Sequence, residues 1–233
     1  MSGIANKRPP QPRYNQIWDI QQVLDYLKAL PDNDKLTLRQ LTLKTVGLLA
    51  LTQINRGSEL KYLNLGFMRE SNQTYVFSFN QHTKTSRRKR KRVPDMTFSC
   101  FAGEQSLPPE KRKLCPFTCI SYYLQATEPL RGIPRKKQLF IGQIKPHKEV
   151  EKATIAGWLK MLLKCAGIDT TIDKAHSYRA ASSSKAKALG VPIEDILKTG
   201  NWTNSSTWQK FYHKPIKQGI TRYQEKILSG SKL

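Results

Sequence analysis

The sequence predicts an α+β fold, mostly helical, with a small antiparallel sheet and a basic β-hairpin. Three observations predict it. Apolar residues recur at helical spacing near the start and again through the last third; the stretch QTYVFSF switches to a two-residue period; and the lysine- and arginine-rich block KTSRRKRKR separates that stretch from a second β-like run, MTFSCF.

Residues 1–15 read as an extended, proline-rich lead-in. Ile20, Val23, Leu24 and Leu27 then fall at i, i+3, i+4 and i+7, predicting an amphipathic helix that stops before Pro31. Thr37 and Gln40 form a capping box that opens a second helix through Leu41, Val46 and Leu49, ending near the Asn55-Arg56-Gly57 turn. Ser58 is placed to cap a short helix, GSELKYL. The alternation Tyr75, Phe77, Phe79 and the MTFSCF run predict two strands joined across residues 80–94. Pro116 suits the first turn of the helix PFTCISYYLQAT, QLFI reads as one more short strand, and Thr154 is expected to cap a helix closed by Gly167. KAHSYRAASSSKAKAL closed by Gly190, PIEDILKT closed by Gly200, SSTWQKFY, and a terminal helix over residues 216–228 complete the pattern.

Composition narrows the function. The 233 residues hold 40 Lys+Arg against 17 Asp+Glu, a formal charge of +23, yet 38% are hydrophobic, enough to build a core. No apolar run approaches the roughly 20 residues that span a bilayer, and residues 1–16 lack the apolar core of a secretion signal. Four cysteines in so long a chain do not form a disulfide scaffold. A strongly cationic folded body implies a polyanion, most simply nucleic acid. Lys84, Arg87, Arg88, Lys89, Arg90, Lys91 and Arg92 carry seven of the positive charges without an acid between them. A second basic patch runs from Arg131 to Lys148. Charge alone gives phosphate affinity and no chemistry, and a solvated loop or a nuclear-localisation signal reads the same way.

The chemistry is suggested by residues spread along the chain: Arg56 in NRGSEL, Lys84 at the start of the basic hairpin, His176 and Arg179 in HSYR, and Trp202 and Tyr212 in GNWTNSSTWQKFYHKP. The spacing of three between His176 and Arg179 would put both on one helix face. Each has a plainer explanation alone: a surface arginine, a histidine on a backbone carbonyl, a core tryptophan, a packed Phe-Tyr pair. In order, they resemble the catalytic domain of the tyrosine recombinases, the phage-integrase family. KAHSYRAASSSKAKALGVPIEDILK, GNWTNSSTWQKFYHKPI, ALTQINRGSEL and WDIQQVLDYL are similar to the branch carried by DIRS-type retrotransposons, over nearly the whole chain from about Arg8.

That resemblance implies DNA strand cleavage and rejoining, for site-specific recombination or integration, on double-stranded DNA. Arg56 and Arg179 would hold the non-bridging phosphate oxygens with paired donors, Trp202 and His176 would add to the same oxygens or move a proton, Lys84, with rivals in Arg87 to Lys91 of the same hairpin, would protonate the departing 5′-oxygen, and Tyr212 would be the nucleophile. Glu59 would brace Arg56. Such chemistry calls for no metal and no cofactor. The resemblance also implies a tetramer of this chain on two DNA sites, assembled through residues 214–233, a nuclear location in a eukaryote and an intracellular one otherwise, and an origin in a transposable element. With only about 15 residues ahead of its first helix, the chain reads as residues 16–233 of catalytic domain without the N-terminal core-binding domain.

Tyr212 stands ten residues after Trp202, one more than the commoner family spacing, which would fall on Phe211. Phenylalanine has no hydroxyl, so the reading rests on Tyr212; Tyr14, Tyr178 and Tyr223 are out of order. Three alternatives stay open. One is a DNA-binding protein derived from such an enzyme and catalytically silent; another is a type IB topoisomerase. The third takes residues 182–212 as a helix-turn-helix. Cys100, Cys115 and Cys119 lack the second ligand pair of a zinc site.

Overall fold

The computed structural model describes residues 11–54, 57–79, 94–101 and 107–217. Helix α1 (Ile20–Ala29) opens on Asp19, whose carboxylate accepts the Gln21 N–H, and buries Val23 and Leu27. Helix α2 (Leu38–Gln53) starts at the expected capping box, with Gln40 N–H on Thr37 Oγ1 and Thr37 N–H on the Gln40 side chain. Every residue from Leu41 to Leu51 is buried, so α2 is a central rod with neighbours on all sides. GSELKY forms a 3-10 turn (Gly57–Tyr62) in place of the expected short helix.

The sheet has three strands, two of them the expected pair and the third, MRES, absent from the pattern. β1 (Met68–Ser71), β2 (Thr74–Phe77) and β3 (Met96–Ser99) are antiparallel in the order β1-β2-β3. Asn72 and Gln73, both at positive φ (48° and 54°), make the tight β1–β2 turn, the geometry that suits the twist of a two-residue hairpin. β1 itself, MRES, is an edge strand with no buried residue to announce it. In the β2–β3 register Tyr75 faces Phe98 and Phe77 faces Met96, and all four are buried. The basic segment joining β2 to β3, with Lys84 and Arg87 to Arg92, lies outside the described residues.

After α3 (Pro109–Arg112) and α4 (Pro116–Thr127), the strand expected at QLFI fails to form. Gln138 and Ile141 make only isolated bridges, to Asn64 and Glu149. Leu139 N–H and Lys137 O bond the backbone of Leu63 and Leu65, and side chains take other groups a longer ladder would use. Arg131 donates to the carbonyls of Lys136 (3.2 Å), Gln138 (2.8 Å) and Leu139 (3.0 Å), and the Glu149 carboxylate accepts the N–H groups of Lys137 and Gln138. The basic patch is corrected at the same point: Arg131 has no exposed surface, and Arg135 is bound bidentately by Glu128 at 2.7 Å.

Helix α5 (Lys152–Cys165) begins with Glu151 at its N-cap, so Thr154 lies inside the first turn and its N–H already bonds Glu151 O. Gly167, at φ 76°, closes it as expected. Then come α6 (Tyr178–Ala188), α7 (Ile193–Thr199) and α8 (Ser205–Phe211). The terminal helix does not start at Ile216, which makes a parallel bridge to Ile17; residues from 218 on lie outside the described set.

α2 packs against α4, α5, α6 and β3. Its approach to α5 depends on Gly47. A Cβ there would stand 2.1 Å from Leu162 Cδ2, and Leu162 is fully buried. Alanine at a helix interior is ordinarily worth about 1 kcal/mol over glycine. Overpacking costs about 1–3 kcal/mol, so Gly47→Ala is expected to destabilise despite its helix propensity. A chemical-denaturation midpoint above that of the parent would contradict this packing. Among the described residues no helix is long and apolar enough to cross a membrane.

Candidate active site

Three of the expected residues meet at one point. Arg179 sits in the first turn of α6 with only 4% of its surface exposed. Its guanidinium donates through Nη2 to the Gly200 carbonyl, lies 4.1 Å from the Trp202 ring centre and 5.1 Å from that of Tyr212. The Trp202 and Tyr212 rings are themselves 4.9 Å apart and tilted by 55°. A planar cation in contact with two aromatic faces is favourable in itself, by about 0.5–2 kcal/mol per good contact. It also fixes the guanidinium plane, which is what paired recognition of phosphate oxygens needs.

Gly200 makes this corner possible. A Cβ at residue 200 would meet Trp202 Cζ3 at 2.0 Å, so the indole folds back over a residue that must lack a side chain. Asn201 turns the chain at φ 49°, and Trp202 N–H returns to Leu197 O at 2.9 Å. From the sequence Gly200 was legible only as the close of α7; its carbonyl and its bare Cα are parts of the site.

Tyr212 follows directly on α8. Trp208, almost wholly buried, anchors that helix, and its carbonyl accepts the N–H groups of both Tyr212 (2.8 Å) and His213 (2.9 Å). Tyr178 is fully inside the core with its hydroxyl on Leu159 O, where it cannot reach a substrate.

His176 departs from expectation. It belongs to a 3-10 turn (Ala175–Ser177) that precedes α6, so it and Arg179 do not share one continuous helical face. Its Nε2 receives the Tyr14 hydroxyl at 2.7 Å and an Arg13 N–H at 3.3 Å, and the two rings pack 5.4 Å apart. Arginine can only donate, so Nε2 is the acceptor and the ring proton is assigned to Nδ1. Burial, then the charges of Arg13 and Lys174, hold the imidazole below its ordinary pKa and keep it neutral near pH 7.

Tyr14 comes from residues 11–19, which form a strap across α6. Trp18 donates its indole N–H to Ser177 at 2.7 Å, Asp19 pairs with Lys185 of α6, and Ile17 bonds Pro215 O and the Lys217 N–H just beyond Tyr212. The strap therefore ties the histidine turn to the segment that follows the tyrosine. A proline-rich lead-in gave no sign of this.

Arg56 and Lys84 lie outside the described residues. Glu59 is nearly buried and lines a cleft of about 480 Å³ with Gln53, Thr97, Asp195, Lys198 and Asn201, so the cleft borders the Gly200 corner. The chain reaches Arg56 through Ile54 at φ 50°, a left-handed conformation that a branched residue adopts at a cost of about 1–2 kcal/mol. The thiols of Cys100 and Cys115 are 3.8 Å apart, and no cluster of three metal-binding side chains occurs among the described residues.

Solved structures share this architecture. XerH site-specific recombinase bound to palindromic difH substrate, a post-cleavage complex, superposes with a TM-score of 0.60 at 9% identity over 93% of this chain and 53% of its own. XerA recombinase gives 0.56 at 14% identity, over 98% and 68%. The Tn1549 transposon integrase in complex with transposon right end DNA gives 0.51 at 11%, over 95% and 67%. The fold is that of the tyrosine recombinases. The chain spans about half the length of XerH and about two thirds of the other two. No protein-family model and no curated protein matches the sequence.

Proposed function

We propose that the chain cleaves and rejoins DNA strands through Tyr212, as a recombinase or integrase of a DIRS-like transposable element acting in the nucleus. The observation that carries this reading is the stack of Arg179, Trp202 and Tyr212, in which two rings from one stretch of sequence share the guanidinium of another. The Tyr212 hydroxyl gives up its proton to water as its oxygen attacks the phosphorus, the P–O bond to the 5′-oxygen breaks, and the DNA remains joined through a 3′-phosphotyrosine. Arg179 and Arg56 neutralise the charge that grows on the phosphate oxygens, and Lys84 supplies the proton to the leaving oxygen. The phosphotyrosine keeps the energy of the broken bond, so a 5′-hydroxyl rejoins the strand by the reverse step.

The test is trapping on DNA. The full chain is incubated with 5′-labelled nicked duplexes of randomised core, from which the short 5′-hydroxyl fragment diffuses away after cleavage. The parent is expected to give a denaturant-resistant, protease-sensitive adduct, and Tyr212→Phe none while still shifting the same DNA in a native gel. Binding with no adduct from either protein would overturn the reading in favour of a silent DNA-binding relative.

A further inference from the structure

Three consecutive buried serines on α6 have three different partners. The Ser182 hydroxyl donates to Leu51 O near the end of α2 at 2.5 Å, and Ser183 donates back to Arg179 O of its own helix at 2.8 Å. Ser184 does something else: its hydroxyl donates to the Tyr212 carbonyl at 3.0 Å and accepts the Lys214 N–H at 2.9 Å. Only 3% of Ser184 is exposed.

We infer that Ser184 is a positioning residue for Tyr212, holding the turn that carries the phenol against the helix that carries Arg179. This rests on the reading of Tyr212 as the nucleophile. Helix α8 ends with Tyr212 and His213 both bonded to Trp208 O, so the next carbonyl and N–H have no helical partner. A serine hydroxyl, with one proton and two lone pairs, satisfies both at once. The result is a short mechanical path. Arg179 and Ser184 lie five residues apart on one rigid helix, about 7.5 Å along its axis. With the Tyr212 backbone clamped at that point, the rotations of its side chain are what remain to bring the hydroxyl to phosphorus. Alanine at 184 releases the turn and leaves the Trp202 and Arg179 contacts in place. A displacement on the order of 1 Å at a reacting centre costs up to about 100-fold.

The measurement is single-turnover adduct formation by the full chain on the duplex recovered from the random-core pool, at rising protein concentration. Ser184→Ala is expected to lower the rate at saturation by about 10- to 100-fold and to leave the half-saturating concentration within about twofold of the parent. Ser183→Ala, which removes an equally buried hydroxyl that does not touch the tyrosine turn, serves as the control for simple loss of stability. Ser184→Thr, which keeps the hydroxyl, is expected to stay within about threefold of the parent rate. Parent-like cleavage by Ser184→Ala overturns the positioning role, as does an equal loss in Ser183→Ala. Absence of adduct from the parent itself contradicts the nucleophile assignment, a separate failure.

Discussion

Arg179→Lys is expected to slow adduct formation by about 100- to 1,000-fold, the range for removing one preorganised donor from a site of developing charge. The structure explains why lysine does not substitute. The guanidinium is nearly buried, bonded to the Gly200 carbonyl, and in contact with both the Trp202 and Tyr212 rings. An ammonium keeps the charge but offers neither a planar face for the two rings nor a pair of parallel N–H groups for two phosphate oxygens. Native-gel binding of the same DNA, governed by the overall charge of +23, is expected to change far less than the cleavage rate. A lysine variant that cleaves at the parent rate would show that the stack is packing and not chemistry.

The largest effect on stability is expected elsewhere, at Arg131. Its guanidinium holds three carbonyls and the Thr127 hydroxyl from a position with no solvent exposure. Burial is the main influence pulling its pKa down from the arginine value. Removing such a group leaves its acceptors buried and unpaired, so Arg131→Met is expected to cost about 3–5 kcal/mol. For a domain of this size that is a fall in melting temperature on the order of 10 °C. Arg131→Lys should recover little of it, because one ammonium cannot reach acceptors spread around a planar fork. A methionine variant melting within a degree or two of the parent would contradict the role assigned to this residue.

The two arginines illustrate what a sequence reveals and what it withholds. Arg179 was legible because it stands in an ordered set with His176, Trp202 and Tyr212. Arg131 was read as one more charge in a basic run, since nothing local distinguishes a buried guanidinium from a solvated one. Helix ends were legible for the opposite reason: the Thr37–Gln40 box, Pro116 at a first turn, and Gly167 and Gly190 at positive φ act within a few residues of themselves. β1 was not, because MRES is polar and its turn, Asn72-Gln73, carries no glycine. QLFI looked like a strand by composition and lost a longer ladder to Arg131 and Glu149, residues that arrive from either side of it.

Within the site, chain order supplied side chains and tertiary structure supplied their supports. Gly200 under the indole, Ser184 on the tyrosine turn and Tyr14 on the histidine are contacts across 2, 28 and 162 positions. The last two join segments that share no local pattern. The spacing of three between His176 and Arg179 suggested one helix face where the structure has a 3-10 turn ahead of α6.

The residue to which the DNA becomes attached decides whether Tyr212 is the nucleophile. After adduct formation and nuclease trimming, trypsin should release the peptide of residues 211–217, FYHKPIK, in which Tyr212 is the one hydroxyl-bearing residue. Mass spectrometry is expected to find the residual nucleotide on the Tyr212 oxygen. Attachment at any other residue would contradict the account.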